Sequence, residues 1–457
     1  MKKNILYFSG LVFMALPSFA FSKISTSIIF NHPECKLYTY KTSPPTYKHV
    51  MLERNNKELV NSKTKDIYCR TSDFSEAKIR ASPAFQEVEN LFRNSETVSV
   101  DGAFFIFDSN EMSKSICSAY AEKPFKLNLI LQKQEYSTAT KMIQSCMGND
   151  LHLKSIGCDW LSQNKKCKSE GGLNTMHVKI LRFSMKNGGL HFIYGSGNIN
   201  HSLYSTRDVW LHSYSEKNDD SALAAYLTCQ INVLSNPIIS GSPKPYAIAK
   251  LYYDCTKKIP RKSLSENDVY LTPMKWLPGN GRRDPILSEE LPKLFSSATS
   301  IFITTQDIGG ENIKMFIEDF LSKNGTLKLL LDDDWFYVRF LGENYGMADY
   351  EVAESWLRKL ILKYPKKIEV RYLETDNTAN FQTSLHHKFI LFYGPKDDAV
   401  FFGSPNIKDA AFLKNIESIY VSRSREITTR FKEESEYLWS HARTENEMPY
   451  IDSNDFK

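Results

Sequence analysis

The chain has 457 residues, of which 42% are hydrophobic and 24% are charged. This composition excludes a disordered or collagen-like chain and allows one large domain or two of ordinary size. Lysine and arginine (58 residues) exceed aspartate and glutamate (53 residues) by five charges, which is too small an excess to indicate a nucleic-acid partner by itself. An anionic substrate is allowed by this balance but not required by it.

The first 20 residues have the pattern of a secretory signal peptide. Lys2 and Lys3 precede an apolar run over residues 5–16, and small residues lead to an expected cleavage site after Ala20. The run is shorter than the about 20 residues that a spanning helix needs, so a retained anchor is the less favoured alternative. We therefore expect a mature chain that is secreted or periplasmic.

Eight cysteines agree with export, because thiols in an oxidising compartment usually form disulfides. Their spacing matches no C-x-x-C or zinc pattern, so disulfides are favoured over a metal site. The pairing is left open, although a Cys158–Cys167 bond would close a tight loop. The eight are Cys35, Cys69, Cys117, Cys146, Cys158, Cys167, Cys229 and Cys255.

The first half of the chain begins after an expected irregular extension, residues 21–80. A helical pattern, "PAFQEVENLFRN" (83–94), is followed by two strand-like runs, "VDGAFFIFDS" (100–109) and "FKLNLILQ" (125–132). Then comes "TMHVKILRFSMKNGGLHFIYGSGNIN" (175–200), which reads as strand, glycine-rich turn and strand.

The second half repeats the same order of elements. The helical pattern "SEELPKLFSSA" (288–298) precedes "TSIFITTQDI" (299–308), and "TLKLLLDD" (326–333) follows another helical pattern. The last unit is "SLHHKFILFYGPKDDAVFFGSPNIK" (384–408). The two histidine motifs are 209 residues apart and the two Gly-Ser-x-Asn motifs 208 apart, so we infer an internal duplication.

This order predicts an α/β fold made of two tandem, pseudo-symmetric halves, each a mostly parallel or mixed sheet flanked by helices. The halves are expected at residues 81–240 and 285–445, joined by a linker at 241–284 and followed by a tail at 446–457. Two such halves can pack as an internal pseudo-dimer around one shared active site, which predicts a monomer.

Each half supplies one histidine and one lysine at matching positions. Side chains alternate along a strand, so His386 and Lys388 share one face and His387 lies on the other. Val178 stands where His387 does in the first copy. The repeated pair is therefore His177 with Lys179 and His386 with Lys388, while His387 occupies a structural position.

The side chains that recur in both halves are suited to binding a phosphate ester. Lysines neutralise phosphate oxygens, and the Ser and Asn side chains add hydrogen bonds. One neutral histidine attacks phosphorus while the other, protonated, gives its proton to the leaving alcohol. No metal and no cofactor are predicted. The supporting residues are Ser196, Asn198, Ser404 and Asn406.

These twin motifs resemble those of the phospholipase D superfamily, and the resemblance covers about three quarters of the chain. It implies a phosphodiesterase with a covalent phosphohistidine, with the first-half histidine, His177, as nucleophile. The family places a glutamate after the Gly-Ser turn to hold a histidine ring. Glu417 matches it, and Asp208 is its substitute in the first half, one residue out of register.

One residue of the family signature is missing from both copies. The aspartate of His-x-Lys-x4-Asp is replaced by Ser184 and Tyr393. In the family this aspartate is neither nucleophile nor acid, and some members that act on DNA ends lack it. The chemistry can therefore survive, although an inactive relative is conceivable.

Three functions stay open. The leading one is a secreted phosphodiesterase acting on a phospholipid head group, with peripheral membrane contact allowed, since extracellular membranes are an abundant source of diesters. The second is a nuclease or a phosphodiesterase of DNA or RNA ends, favoured by the +5 charge and the missing aspartate. The third is an inactive protein that binds phosphate esters in the inherited cleft.

Other polar clusters have simpler structural explanations. His191, His201 and His212 lie near the first motif but have no second-half counterpart, so ordinary core or surface histidines are favoured over a metal site. The acidic run in 329–336 and the basic stretch 54–65 are expected to be solvated.

Overall fold

The computed structural model describes most of both halves. The described residues are 25–32, 36–39, 65–68, 76–132, 137–157, 175–200, 203, 206–217, 221–240, 245–259, 267–274, 285–332, 335–336, 348–373, 377–378, 381–382 and 385–448. The expected signal peptide (1–20), the Cys158–Cys167 pair, His201 and all of the stretch 54–65 except Lys65 lie outside them.

Seven strands form the sheet of the first half. Its strands, with a separate pair β2–β3, are β1 (Ser25–Phe30), β2 (Lys36–Thr39), β3 (Lys65–Tyr68), β4 (Thr97–Phe104), β5 (Lys126–Gln132), β6 (Leu151–Ile156), β7 (Lys179–Met185), β8 (Leu190–Gly195) and β9 (Val209–Ser215). The order across the sheet is β1-β9-β8-β7-β4-β5-β6.

Seven strands also form the sheet of the second half. Its strands are β10 (Asn267–Leu271), β11 (Ser300–Thr305), β12 (Ile308–Gly309), β13 (Thr326–Asp332), β14 (Ile368–Leu373), β15 (Asn377–Thr378), β16 (Phe381–Gln382), β17 (Phe389–Tyr393), β18 (Ala399–Gly403), β19 (Ile407–Lys408) and β20 (Ser418–Ser422). The order β10-β20-β18-β17-β11-β13-β14 repeats that of the first sheet strand for strand. Short pairs β12–β19 and β15–β16 lie outside it.

Helices cover both sheets. They are α1 (Glu76–Ala81), α2 (Pro83–Arg93), α3 (Asn110–Glu122), α4 (Thr138–Met147), α5 (Ala222–Ser235), α6 (Pro245–Thr256), α7 (Leu291–Ser297), α8 (Glu311–Ser322), α9 (Ala348–Lys363), α10 (Asp409–Leu413) and α11 (Arg425–His441). A π-turn lies at Ile286–Glu290, and 3₁₀ turns at Gly148–Asp150 and Glu445–Glu447.

The sheets are buried on both faces, which explains the long apolar runs in the sequence. The outer face of the first sheet packs on α1–α4, and that of the second on α7–α9. The inner faces meet in one core that also contains residues of α5, α6 and α11. Tyr194 of β8 and Tyr420 of β20 touch across it, with ring centroids 4.6 Å apart. The expected fold class, two α/β halves sharing one interior, is confirmed.

Both sheets are mixed, and antiparallel pairs outnumber parallel ones. In the first sheet only β4–β5 and β5–β6 are parallel, while the other four pairings are antiparallel. The second sheet repeats this pattern. The motif strands are joined by a short turn within each half, and such a turn requires antiparallel neighbours.

The structure corrects two of the expected boundaries. Residues 25–30, assigned above to an irregular extension, form β1 and pair with β9 at the edge of the first sheet. The linker 241–284 contains α6 and β10, which takes the same edge position beside β20 in the second sheet. Both edge strands pair with segments more than 140 residues away, so local sequence patterns carry little sign of them.

Two disulfides join neighbouring helices. Cys117 of α3 bonds Cys146 of α4, and Cys229 of α5 bonds Cys255 of α6. These agree with the expectation of an oxidised chain. Among the described residues, none of the helices combines the length and apolarity needed to cross a membrane.

Candidate active site

Each motif histidine lies immediately before a strand at the junction of the two halves. His177 precedes β7 and His386 precedes β17, rather than lying within these strands as the sequence predicts. The backbone N–H of His177 donates to the carbonyl of Ile416 (2.8 Å), and that of His386 donates to the carbonyl of Arg207 (3.1 Å). Each histidine is thus fixed by the backbone of the opposite half.

Each histidine ring is also held by a carboxylate from the other half. Nδ1 of His177 lies 2.9 Å from Oε2 of Glu417, and Nδ1 of His386 lies 2.6 Å from Oδ1 of Asp208. An ionised carboxylate only accepts, so Nδ1 carries the proton and Nε2 keeps the reactive lone pair. This exchange between halves is not visible in the sequence.

The two carboxylates occupy equivalent places despite their offset of one residue in the sequence. Gly195 pairs with Trp210 and Gly403 with Ile419, and each carboxylate lies two positions before that partner. Asp208 is therefore the structural counterpart of Glu417. The extra residue is accommodated in the connection between the turn and the strand.

The serines of the Gly-Ser turns hold these carboxylates. Ser196 Oγ donates to Asp208 (3.2 Å), and Ser404 Oγ donates to Glu417 (2.6 Å). Thr206 adds a second hydroxyl donor to Asp208. Asn415 donates to the free oxygen of Glu417 at 3.1 Å.

The glycines of these turns are required by close backbone approach. A Cβ on Gly195, whose φ is +154°, would lie 2.1 Å from the carbonyl oxygen of Val209. At Gly403 (φ +145°) it would lie 2.3 Å from the carbonyl oxygen of Ser418. Both contacts are far inside van der Waals distance, and both φ values favour glycine.

The two lysines lie fully buried behind the histidines. Lys179 Nζ donates to the carbonyl of His177 (2.6 Å), and Lys388 Nζ donates to that of His386 (2.9 Å). Burial lowers the pKa of Lys179 well below its ordinary range and the pKa of Lys388 to about 7. Glu417 and Asp208 counteract burial by favouring the charged lysines.

Near neutral pH both imidazoles of the site are neutral. Burial, with the neighbouring lysines, lowers the pKa of His177 to about 4 and that of His386 to about 3, despite their carboxylate partners. Burial opposes ionisation of Asp208 and Glu417 too, but the attached histidines and the lysines lower both pKa values. The two carboxylates lie beside the two buried lysines, and a bound phosphodiester adds negative charge that favours protonating one imidazole.

A cavity of about 470 Å³ opens over the two histidines. Asn198 and Asn406 line it from opposite halves, and the Oδ1 atom of each is buried without a protein hydrogen-bond partner. Asn200 lines the cavity with the same unpaired atom. A buried amide oxygen without a partner is costly in a folded protein, and all three of these amide side chains lie at the cavity.

The positions of the missing aspartate lie away from this cavity. Ser184 is five residues beyond Lys179 on β7, about 17 Å at ~3.4 Å per residue. Tyr393 ends β17, and its hydroxyl lies 3.5 Å from Ser435 Oγ. The replacement of the aspartate therefore leaves the histidine and lysine groups untouched.

The other histidines have structural partners. His387 is buried, with Nε2 3.0 Å from Glu434 Oε1 and its ring packed near Phe389. His191 Nδ1 lies 2.8 Å from His212 Nε2, and His212 Nδ1 lies 2.5 Å from Glu87. Within the described residues, no group of three or more histidine, cysteine or acidic side chains is placed to hold a metal ion.

Several cavity-lining residues were not identified from the sequence. Phe105, Ile106 and Gln306 follow β4 or β11, and Lys408 ends β19. The carboxyl ends of parallel strands are a common location of ligand sites, and this rule applied to 105–109 and 305–309 would have found Phe105, Ile106 and Gln306 but not Lys408.

One family model and several solved structures are similar to this chain. A family model described as a cardiolipin synthase, phospholipase D-like domain matches residues 292–439. No curated protein matches the sequence. A phosphatidylserine synthase of Haemophilus influenzae superposes with a TM-score of 0.54 at 14% identity, covering 81% of this chain and 86% of that one. A yeast tyrosyl-DNA phosphodiesterase gives 0.44 at 11% identity, covering 74% and 85%.

Proposed function

We propose that the protein is an exported phosphodiesterase, because residues 292–439 match a phospholipase D-like family model and the two-half fold is similar to that of a phosphatidylserine synthase. It hydrolyses or transfers a phosphodiester through a phosphohistidine, and its substrate is a phospholipid.

The observation that carries the proposal is the pair of crossed His–carboxylate contacts beneath one cavity. Two imidazoles, each oriented by a carboxylate of the opposite half, present Nε2 atoms to the same space. A symmetric pair of this kind supports a double displacement, which needs one nucleophile and one proton donor.

In the first step, Nε2 of His177 attacks phosphorus and the bond from phosphorus to the leaving oxygen breaks. The proton on His386 Nε2 moves to that oxygen, so the alcohol leaves neutral. In the second step, His386 takes a proton from water or from an acceptor alcohol. The resulting oxygen nucleophile attacks phosphorus, the P–N bond breaks, and His177 regains its lone pair.

A phospholipid substrate is supported by export, since membranes outside the cytoplasm are an abundant source of diesters, and by the apolar side of the cavity at Phe105 and Ile106. The nucleic-acid alternative is supported by the net charge of +5. An inactive phosphate-ester binding protein is disfavoured because both histidines and both lysines are in place.

The deciding assay offers the purified protein labelled phosphatidylcholine and labelled single-stranded DNA side by side. Release of the lipid head group without DNA cleavage is the expected result. DNA cleavage alone would transfer the proposal to the nuclease alternative. Binding of both without cleavage of either would contradict an enzyme.

Export through a cleaved signal peptide over residues 1–20 is part of the proposal. It is supported by the two disulfides Cys117–Cys146 and Cys229–Cys255. Mass spectrometry of the exported protein should show a chain that begins near residue 21, and retention of Met1 would contradict cleavage.

A further inference from the structure

The two halves differ in the residues that flank their shared histidine and lysine positions. The contact between Phe107 and Ile199 in the first half matches the pairing of Ile308 with Ile407 in the second. Ile106 precedes Phe107 just as Asp307 precedes Ile308. Likewise, Asn200 follows Ile199 just as Lys408 follows Ile407. The halves are therefore equivalent in backbone but not in the chemistry that they show to the cavity.

The first-half wall of the cavity is aromatic and apolar. The ring of Phe105 meets that of His177 edge to face, with centroids 5.0 Å apart, and Lys179 Nζ lies 5.6 Å from the Phe105 centroid. Ile106 lies beside it, and Asn200 has no charge. Phe105, Ile106 and Asn200 therefore offer no charge to a substituent on this side of the cavity.

The second-half wall carries an ion pair instead. Lys408 Nζ contacts Asp307 Oδ2, and the Lys408 side chain is 32% exposed against 8% for Asp307. The backbone places the acid firmly, since Thr305 Oγ1 donates to the carbonyl of Asp307 (2.8 Å) and Ile407 N–H donates to the same carbonyl (3.1 Å). Lys408 thus lines the cavity over the histidines, and the Asp307 carboxylate lies directly beside its ammonium group.

The space continues beyond this pair. A second cavity of about 490 Å³ shares Lys408 with the first and is lined further by Asp307, Lys314, Lys414, Glu311 and Asp409. The Asp409 carboxylate already accepts hydrogen bonds from the first turn of α8, where Asn312 and Ile313 are the donors. Three lysines and three acids line this cavity, so its charge is mixed rather than of one sign.

From this asymmetry we propose that the Asp307–Lys408 pair selects the leaving alcohol, and that it favours one bearing both an ammonium and a carboxylate group. This inference rests on the proposed function. In-line displacement puts the leaving oxygen opposite the attacking His177, on the His386 side, where Gln306 and Lys408 form the wall. The retained phosphoryl substituent has the apolar Phe105 wall available to it.

The preference for a zwitterion follows from electrostatics. A group with one charge meets an attractive and a repulsive partner in the pair, so the two contributions largely cancel. A zwitterion aligned against the pair places its carboxylate near Lys408 and its ammonium near Asp307. It makes charge-assisted contacts with both. A neutral polyol can hydrogen-bond to either member of the pair, but it brings no charge of its own.

The experiment compares short-chain, water-soluble phospholipids that share one phosphatidyl group and differ in the alcohol: serine, ethanolamine and glycerol. kcat/KM for the serine ester should exceed that for the glycerol ester about tenfold, the size expected of charge-assisted hydrogen bonds. Bis(p-nitrophenyl) phosphate, whose leaving group needs no recognition, is measured in parallel.

Lys408→Gln should reduce the serine-to-glycerol ratio to about one, and Asp307→Asn should reduce the serine and ethanolamine rates relative to glycerol. The matched control is Lys323→Gln, because the exposed Lys323, just after α8, pairs with the exposed Asp319 at 2.7 Å and lines neither cavity. It should leave the ratio unchanged. Thermal melting of each variant verifies that it is folded.

The results distinguish a failure of the head-group preference from a failure of the proposed function. If the wild-type protein cleaves bis(p-nitrophenyl) phosphate but shows equal kcat/KM for the three lipids, or cleaves none of them, the inference is wrong and the phosphodiesterase proposal stands. Equal effects of Lys408→Gln and Lys323→Gln on the ratio would also overturn it. If no diester at all is cleaved, the proposed function is wrong, and the inference that rests on it is wrong as well.

Discussion

His177 and His386 have equivalent partners but, in the proposed mechanism, different tasks. His177→Ala should abolish both turnover and covalent labelling, because the atom that bonds phosphorus is gone. His386→Ala should lose turnover of alkyl esters but keep slow labelling by bis(p-nitrophenyl) phosphate, whose leaving group needs no proton. Its intermediate should then persist, because the residue that activates water is missing.

The measurement is mass spectrometry of the trapped phosphoprotein beside steady-state rates. If His386→Ala blocked labelling while His177→Ala did not, the two roles would have to be exchanged. If both variants kept full activity, the assignment of the site would be wrong.

The low pKa values of these histidines make the stability of the protein depend on pH. In the folded chain His177 and His386 take up protons only near pH 4 and pH 3, whereas an unfolded histidine does so near pH 6.5. Between these values the unfolded chain binds more protons, so the free energy of unfolding falls as pH falls from about 6.5 toward 4.

Urea unfolding at pH 7 and pH 5 should therefore show a loss of stability on acidification. The double variant His177→Asn/His386→Asn should lose less than the wild-type protein over the same interval. An identical loss in both proteins would show that these histidines do not cause it.

At the scale of elements, His387 joins the second motif to α11 and, through Glu434, to the end of β1. Glu434 is buried, with one oxygen 3.0 Å from His387 and the other 3.0 Å from His32. Burial opposes its ionisation, but the two histidines outweigh this and lower the pKa of Glu434 to about 2. The buried carboxylate therefore depends on both partners.

His387→Ala should destabilise the fold by about 3 kcal/mol, the cost of breaking a buried pair, while changing the rate on bis(p-nitrophenyl) phosphate much less than His386→Ala does. His441→Ala, at the exposed end of α11, is the control and should stay within about 0.5 kcal/mol of the wild-type free energy of unfolding. Chemical denaturation measures both. A stable His387→Ala protein with no activity would instead place His387 in the chemistry.

For the whole molecule, the crossed carboxylates mean that neither half holds a complete site. His177 depends on Glu417 and His386 on Asp208, so the active arrangement exists only when the halves are packed together. The lysines of both halves supply the positive charge that a divalent metal would otherwise bring to the phosphate. We therefore expect hydrolysis of the activated diester to be unaffected by EDTA.

The control for this prediction is a thermal melt with and without EDTA, which reports any structural metal separately. Loss of activity with EDTA, recovered on adding a divalent ion and without a change in the melt, would be decisive against the two-histidine mechanism.

Much of the architecture was predictable because the duplication makes each sequence pattern occur twice. The spacing of the motifs at 177–198 and 386–406 predicts two equivalent halves, and the alternating apolar runs predict their central strands. The edge strands β1 and β10 were missed because five or six residues with mixed polarity carry little local information, and their partners are distant in sequence. The one-residue offset of Asp208 likewise became interpretable only through the pairing of Gly195 with Trp210.

The sequence by itself determined the residue types of the candidate site and their pairing by repeat, because phosphate chemistry restricts which side chains recur together. It could not determine which carboxylate holds which histidine, since that contact joins Glu417 to His177 across 240 residues. Nor could it show that Asp307 and Lys408 lie beside the cavity, or that Ile106 and Asn200 occupy the equivalent positions in the first half. Those contacts depend on how two sheets pack face to face, and packing is decided by the whole core rather than by any local pattern.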